Sequence, residues 1–267
     1  MSRPRHLVLT VHGIRTFGQW QERLEKLLKA EDPFIEVFSY KYGYFSVLAF
    51  MIPFLRWLVT RRFRQDMLRE IEKAQWARID IVAHSFGTHL VAWGLYGIEP
   101  DKRPTIHTII LAGSVLKAGF PWRDRLGSSV ARVLNECGID DSILLLNQLT
   151  VLFTGIAGRE GFSCMTGDAF RNRFFEFGHS GYFQTGGKSD DTFMREKWLS
   201  LLTTEEQTPI FADPRPASTI RGFMTFLFNN AEPIKLLFLV MPLVLGILWV
   251  YQQRQGASLL SRNHRPG

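Results

Sequence analysis

Ile79-Asp80-Ile81-Val82-Ala83-His84-Ser85-Phe86-Gly87-Thr88-His89-Leu90-Val91-Ala92-Trp93 is the stretch on which the fold turns. Ile79 to Ala83 is a short apolar, β-prone run of the kind that forms a buried parallel strand. His89 to Tyr96 continues at helical spacing through Leu90, Val91 and Trp93. Between strand and helix stands Ser85, with the small residues Ala83 and Gly87 on either side, where a tight turn brings the two backbones together.

Working outward, the same alternation repeats. Upstream, Leu7 to Val11 is a strand closed by Gly13. Phe17, Trp20, Leu24, Leu27 and Leu28 then recur at helical spacing, and Ile35 to Tyr40 makes a second strand. Met67, Leu68 and Ile71 mark a helix before the quoted stretch. Downstream, Thr108 to Leu111, Val130 to Leu134 and Arg173 to Phe177 read as strands, Ile143 to Leu149 as a helix, and Phe193 to Leu202 as a closing helix. Strands alternating with helices imply right-handed crossovers and a mostly parallel sheet covered by helices on both faces. Sites in such sheets lie at the carboxyl ends of the strands. No internal repeat is present, which removes solenoids and propellers.

The 267 residues suffice for one large α/β domain. A hydrophobic fraction of 46% and a charged fraction of 21% exclude a disordered chain. The net charge of +7 fits an anionic membrane surface, and no zinc-finger spacing, RNA-binding aromatic signature or basic low-complexity tail points to nucleic acid. Cys137 and Cys164 form neither a disulfide framework nor a metal pair. The N-terminal apolar run is too short for a signal-peptide core, so the catalytic region is expected in the cytoplasm.

Ala83-His84-Ser85-Phe86-Gly87 resembles the G-x-S-x-G nucleophile elbow of the α/β-hydrolases, with Ala83 in place of the first glycine. Val11-His12-Gly13-Ile14-Arg15, at the end of the first strand, looks like the oxyanion loop of lipase-like esterases. The resemblance then implies two backbone donors, at Ile14 and at Phe86. In that family the acid and then the histidine follow the serine along the chain. Of the histidines beyond the elbow helix, His107 precedes any strand able to present an acid and His264 lies past the hydrophobic tail, which leaves His179 in the loop Gly178-His179-Ser180-Gly181. After the strand Val130 to Leu134 the acid candidates are Asp140, Asp141 and, less well placed, Glu136. Resemblance to the family's Gly-x-x-Asp loop favours Asp141, with Asp140 a rival and helix capping an alternative role for either. No cofactor and no metal are expected. Gly155, Gly158 and Gly161 open no apolar helix and so read as a loop. Gly187-Lys188-Ser189 lacks the first glycine of a phosphate-binding loop, Tyr182 standing there.

Two segments point to a membrane. Ile234 to Tyr251 is apolar but for Lys235, Pro242 and Gly246, long enough to be expected to span a bilayer as a single C-terminal anchor, with Trp249 and Tyr251 near one end. Charges flanking it give no orientation. The insert Tyr44 to Phe63 combines Phe45, Phe50, Phe54 and Trp57 with Arg56, Arg61, Arg62 and, just beyond, Arg64. That composition suits an interfacial helix or a lid over an acyl pocket, or else a core helix broken at Pro53. The expected organisation is a catalytic domain over 1–205 with the insert at 43–64, a linker at 206–233, the spanning helix at 234–251 and a basic tail at 252–267.

Taken together, these motifs resemble the lipase-like serine esterase branch of the α/β-hydrolases, near the inositol-deacylase-like group, over about Arg5 to Leu202. The resemblance implies hydrolysis of a carboxylic ester, acyl or lipid-like, through an acyl-enzyme on Ser85. An acyltransferase would share every one of these residues, and an inactive membrane scaffold would keep the fold but lose part of the triad.

Overall fold

Strands that are apolar along their whole length must be covered on both faces. In the computed structural model, which describes residues 5–14, 18–41, 50–163, 167–204, 223, 226 and 230–262, six strands pair in parallel, the central ones almost wholly buried and the edge strands less so. They are β1 (His6–Val11), β2 (Ile35–Tyr40), β3 (Arg78–His84), β4 (Ile106–Ala112), β5 (Val130–Gly138) and β6 (Phe170–Phe175), in the order β2-β1-β3-β4-β5-β6. The chain moves outward from β1 to β2 and then returns to lay β3 on the other side of β1. This reversal makes the β1/β3 boundary the switch point, where a crevice opens beyond the carboxyl ends. Val11 pairs with Ala83 at that end.

The sheet separates two layers of core. On one face α2 (Pro53–Glu72) and α3 (Phe86–Tyr96) bring Phe63, Met67, Leu90 and Val91 against Leu7, Leu9, Ile81 and Leu111. On the other, α1 (Gln19–Glu31) and a closing helical run (Thr192–Met194, Arg195–Leu199, Ser200–Thr203) bring Trp20, Leu24, Trp198 and Leu202 against Val8, Val82, Ile110 and Leu134. Two further helices, α4 (Ser142–Thr150) and α5 (Ala157–Glu160), lie between β5 and β6.

The structure bears on the sequence expectations for the last strand and for the insert. The last strand of the six-stranded sheet is Phe170–Phe175 and not 173–177, because the ladder closes at the pair Gly138 with Phe175 and the chain then turns, Phe177 N–H donating to Phe175 O at 3.1 Å. Pro53 stands where the helical run of the insert is interrupted, after helical Phe50 and Met51 and an extended Ile52 at φ −90°, ψ 112°. It opens α2 in the first turn, where its missing N–H costs nothing. From there Arg56, Thr60, Phe63 and Met67 face inward at helical spacing while Phe54 and Trp57 are exposed, so the described part of the insert is both core and surface. Residues 42–49 of the insert lie outside the described residues.

The chain divides into two compact units, Met1–Asn229 and Asn230–Gly267. The described residues of the second contain the helix Glu232–Arg262. Among the described residues no helix is long and apolar enough to cross a membrane, so the spanning helix expected over 234–251 is without support.

Candidate active site

The chain leaves β3 at His84 and enters α3 at Phe86, so Ser85 must make the whole turn. Its backbone sits at φ 54°, ψ −123°, a region that non-glycine residues rarely enter. The surroundings hold it there. Ser85 N–H donates to Ala112 O at 2.9 Å, and its carbonyl accepts from Thr88 N–H at 3.0 Å and Thr88 Oγ1 at 2.7 Å. Two glycines are required by contact. A Cβ on Gly87 would lie 2.3 Å from Val11 O, and one on Gly13 would lie 2.7 Å from Ser85 Cβ.

The side chain of Ser85 meets His179, which arrives from the loop after β6. Ser85 Oγ is 2.9 Å from His179 Nε2, and His179 Nδ1 is 2.6 Å from Asp141 Oδ2. Asp141 is fully buried at the start of α4, and its other oxygen, Oδ1, accepts from Leu144 N–H at 3.0 Å. It therefore caps the helix and holds the histidine at once, two roles that the sequence left as alternatives. Asp140, the rival, is exposed. Glu136 is buried elsewhere, paired with Arg173 across the β5–β6 ladder. Burial pushes its carboxyl up and the Arg173 guanidinium pulls it down, with burial the larger effect. His107 lies at the opposite end of the sheet, and His264 is outside the described residues.

The oxyanion candidates Ile14 and Phe86 line one cavity of about 260 Å³ together with Ser85 and His179. The rest of its wall is mostly apolar, with Phe50 and Met51 from the approach to α2, Val115 after β4, and Ile143, Leu146 and Val151 at α4. In the loop that carries Ile14, His12 Nδ1 stands 2.6 Å from Gly13 O. Burial lowers the pKa of His12, the bond to Gly13 works against it, and the charge of Lys41 works with it. Arg15, the last residue of the quoted loop motif, is outside the described residues. Among the described residues no group of His, Cys, Asp or Glu side chains is arranged to hold a metal ion.

Sequence reasoning missed two supports. Gly113 follows β4 at φ 58°, and a Cβ there would lie 3.3 Å from the His179 ring. Tyr182 Oη donates to Glu136 O at 2.9 Å and accepts from Gly113 N–H at 3.1 Å, tying the His179 loop to two strand ends. A glycine closing a strand was the available signal for the first. Nothing in the sequence singled out the tyrosine. The Gly155, Gly158 and Gly161 run has a packing reason: a Cβ on Gly158 would lie 1.9 Å from Ser114 N.

No family model matches the chain, and no curated protein matches it. Among solved structures it is similar to a YdeN-like hydrolase of Pectobacterium atrosepticum, described as putative, at 15% identity over 74% of this chain and 88% of that one, with a TM-score of 0.40. It is also similar to a gene product of Listeria innocua at 10% identity over 77% and 96%, with a TM-score of 0.48. A third similar structure is polyneuridine aldehyde esterase, at 10% identity over 90% and 100%, with a TM-score of 0.33.

Proposed function

We propose that the protein is a serine hydrolase of the α/β-hydrolase type that cleaves carboxylic esters carrying an apolar acyl group. The observation that carries this reading is the continuous relay from Ser85 Oγ through His179 to Asp141, at 2.9 and 2.6 Å, beside an apolar cavity. With its proton on Nδ1, His179 donates to Asp141 and accepts from the Ser85 hydroxyl. Oγ attacks the ester carbonyl as His179 Nε2 takes the hydroxyl proton, and the negative charge on the carbonyl oxygen is met by the N–H groups of Ile14 and Phe86. The acyl C–O bond breaks, the alkoxide leaves with the proton from Nε2, and the acyl group stays on Ser85. Water then attacks the acyl-enzyme, giving a proton to His179 Nε2; the bond from the acyl carbon to Oγ breaks, Oγ takes that proton back, and the acid leaves. Asp141 remains ionised and stabilises the imidazolium.

The cavity wall sets the expectation for chain length. Each methylene of the acyl chain that enters it gains about 0.8 kcal/mol, or roughly fourfold in kcat/KM. A series of p-nitrophenyl esters from acetate upward should therefore rise steeply until the cavity is filled. Met51→Trp, which narrows the cavity from the α2 side, should move the optimum to shorter chains while sparing the acetate. A flat response to chain length in the wild-type protein would contradict the acyl-pocket assignment.

We also propose that the C-terminal helix meets a membrane, since Leu236, Leu237, Val240, Val244, Leu245 and Ile247 are all exposed on it. Deletion after about residue 230 should release the protein from isolated membranes without altering ester hydrolysis. Full-length protein recovered in the soluble fraction without any wash would count against this contact.

A further inference from the structure

The residue before the nucleophile takes no part in the relay, yet it is packed against it. His84 is 1% exposed. Its ring lies 4.8 Å from that of His179 and is enclosed by Phe183 and Tyr182, at 4.9 and 5.9 Å. His84 Nε2 stands 3.0 Å from the backbone oxygen of His179. A carbonyl can only accept, so Nε2 carries the proton and donates. The other nitrogen, Nδ1, has no hydrogen-bond partner among the described residues, and a Cβ on Gly13 would lie 3.4 Å from it. One ring thus touches the loop of the base and the loop of the oxyanion site, and is joined covalently to the nucleophile.

The loop of His179 is closed by Gly181 N–H to Gly178 O and Phe183 N–H to Ser180 O, both at 3.0 Å, and is tied to the strand ends by Tyr182, but these bonds are made by its neighbours and not by the backbone of His179 itself. Its bond from Nδ1 to Asp141 sets the turn of the ring about the Cβ–Cγ bond, while the place of that bond follows the backbone of residue 179. Reach from Nε2 to Ser85 Oγ needs a second anchor on the same residue, and the backbone oxygen of His179 is where His84 supplies it.

We propose that His84 is a positioning residue, whose Nε2–H holds the His179 backbone so that the imidazole stays within reach of the Ser85 hydroxyl. The inference rests on the reading of Ser85 as nucleophile. The charge state of His84 is consistent with the role. Burial, with the charge of His179 adding to it, holds the His84 pKa well below the ordinary histidine value. The ring therefore stays neutral, keeps its donor on Nε2, and places no second cation beside the imidazolium that forms on His179 during the reaction.

The test uses the full chain with two substitutions, His84→Phe, which keeps a ring but has no donor, and His84→Gln, whose amide places a donor at similar reach. Active serine is titrated with a fluorophosphonate, and kcat and KM for a p-nitrophenyl ester are expressed per titrated site. Misplacement of a reacting group by about 1 Å costs on the order of 100-fold, so His84→Phe should lose about 10- to 100-fold in kcat with KM within about twofold, and His84→Gln should recover most of the loss. If His84→Phe does not fold, His84→Leu carries the same expectation. Unchanged kcat per titrated site in the donor-free variant, even with lowered thermal stability, would overturn the proposal, as would a His84→Gln protein as slow as His84→Phe. Wild-type protein that does not react at Ser85 would instead bring down the nucleophile reading, and His84 with it.

Discussion

The sheet carries a buried aspartate against histidine at each of its ends, and the two constellations differ in what surrounds them. At the carboxyl end Asp141 holds His179, and beyond the imidazole lie a hydroxyl and an apolar cavity. At the amino end Asp80 on β3 meets His6 of β1 at 2.8 Å, Arg78 at 2.7 Å and His107 of β4 at 3.4 Å. Arg78 continues to the carbonyls of Leu201 and Thr204, so this second cluster fastens the closing helical run to the sheet. A paired Asp and His is therefore no evidence of chemistry by itself. A hydroxyl on a strained turn and the apolar space beside it are what the carboxyl end has and the amino end lacks among the described residues.

Substitutions should divide the two ends cleanly. Ser85→Ala should remove on the order of 10⁴- to 10⁶-fold of the ester hydrolysis in purified protein while leaving the melting temperature near that of the wild type. Asp141→Asn follows, with about 10⁴-fold in rate because the amide no longer selects the productive tautomer of His179. Asp140→Asn, on an exposed residue, should stay near wild type, and the opposite ranking would move the acid. At the other end, Asp80→Asn should leave kcat per folded molecule unchanged and instead lower unfolding stability by on the order of 2–3 kcal/mol in a urea titration. Loss of activity without loss of stability at Asp80 would erase the distinction between the two ends.

The pH dependence of stability sharpens the contrast. Burial alone would raise the Asp80 carboxyl, but hydrogen bonds from His107 and His6 and the charge of Arg78 outweigh it and lower the pKa from 3.8 to about 2. A carboxylate depressed in the folded state stabilises the protein above its unfolded pKa. That contribution is lost as pH falls from about 4 through about 2. In Asp80→Asn the drop in stability across this window should be smaller by roughly 2 kcal/mol.

Much of this was legible in the sequence because the central strands are mostly apolar and the succession of strand, Ser85 and helix is local. Leu7 to Val11, Ile35 to Tyr40 and Ile79 to Ala83 each fall within an observed strand, and the order of strand, serine and helix placed Ser85 on its turn. His179 came from elimination along the chain. What the sequence left open depended on direction. Asp140 and Asp141 are neighbours with opposite fates, one exposed and one buried, because only the backbone turn after β5 decides which side chain faces His179. The contact of His84 with the His179 backbone spans 95 residues, and the Tyr182 hydroxyl meets the Gly113 backbone across 69, so no spacing rule could reveal either.

The central claim, that Ser85 is an activated nucleophile, is tested most directly by treating the purified protein with a fluorophosphonate and locating the adduct by peptide mass spectrometry. The account predicts one adduct per chain, on the peptide containing Ser85, absent in Ser85→Ala and strongly slowed in Asp141→Asn but not in Asp80→Asn. Folded wild-type protein that forms no adduct, or forms it at another residue, would contradict it.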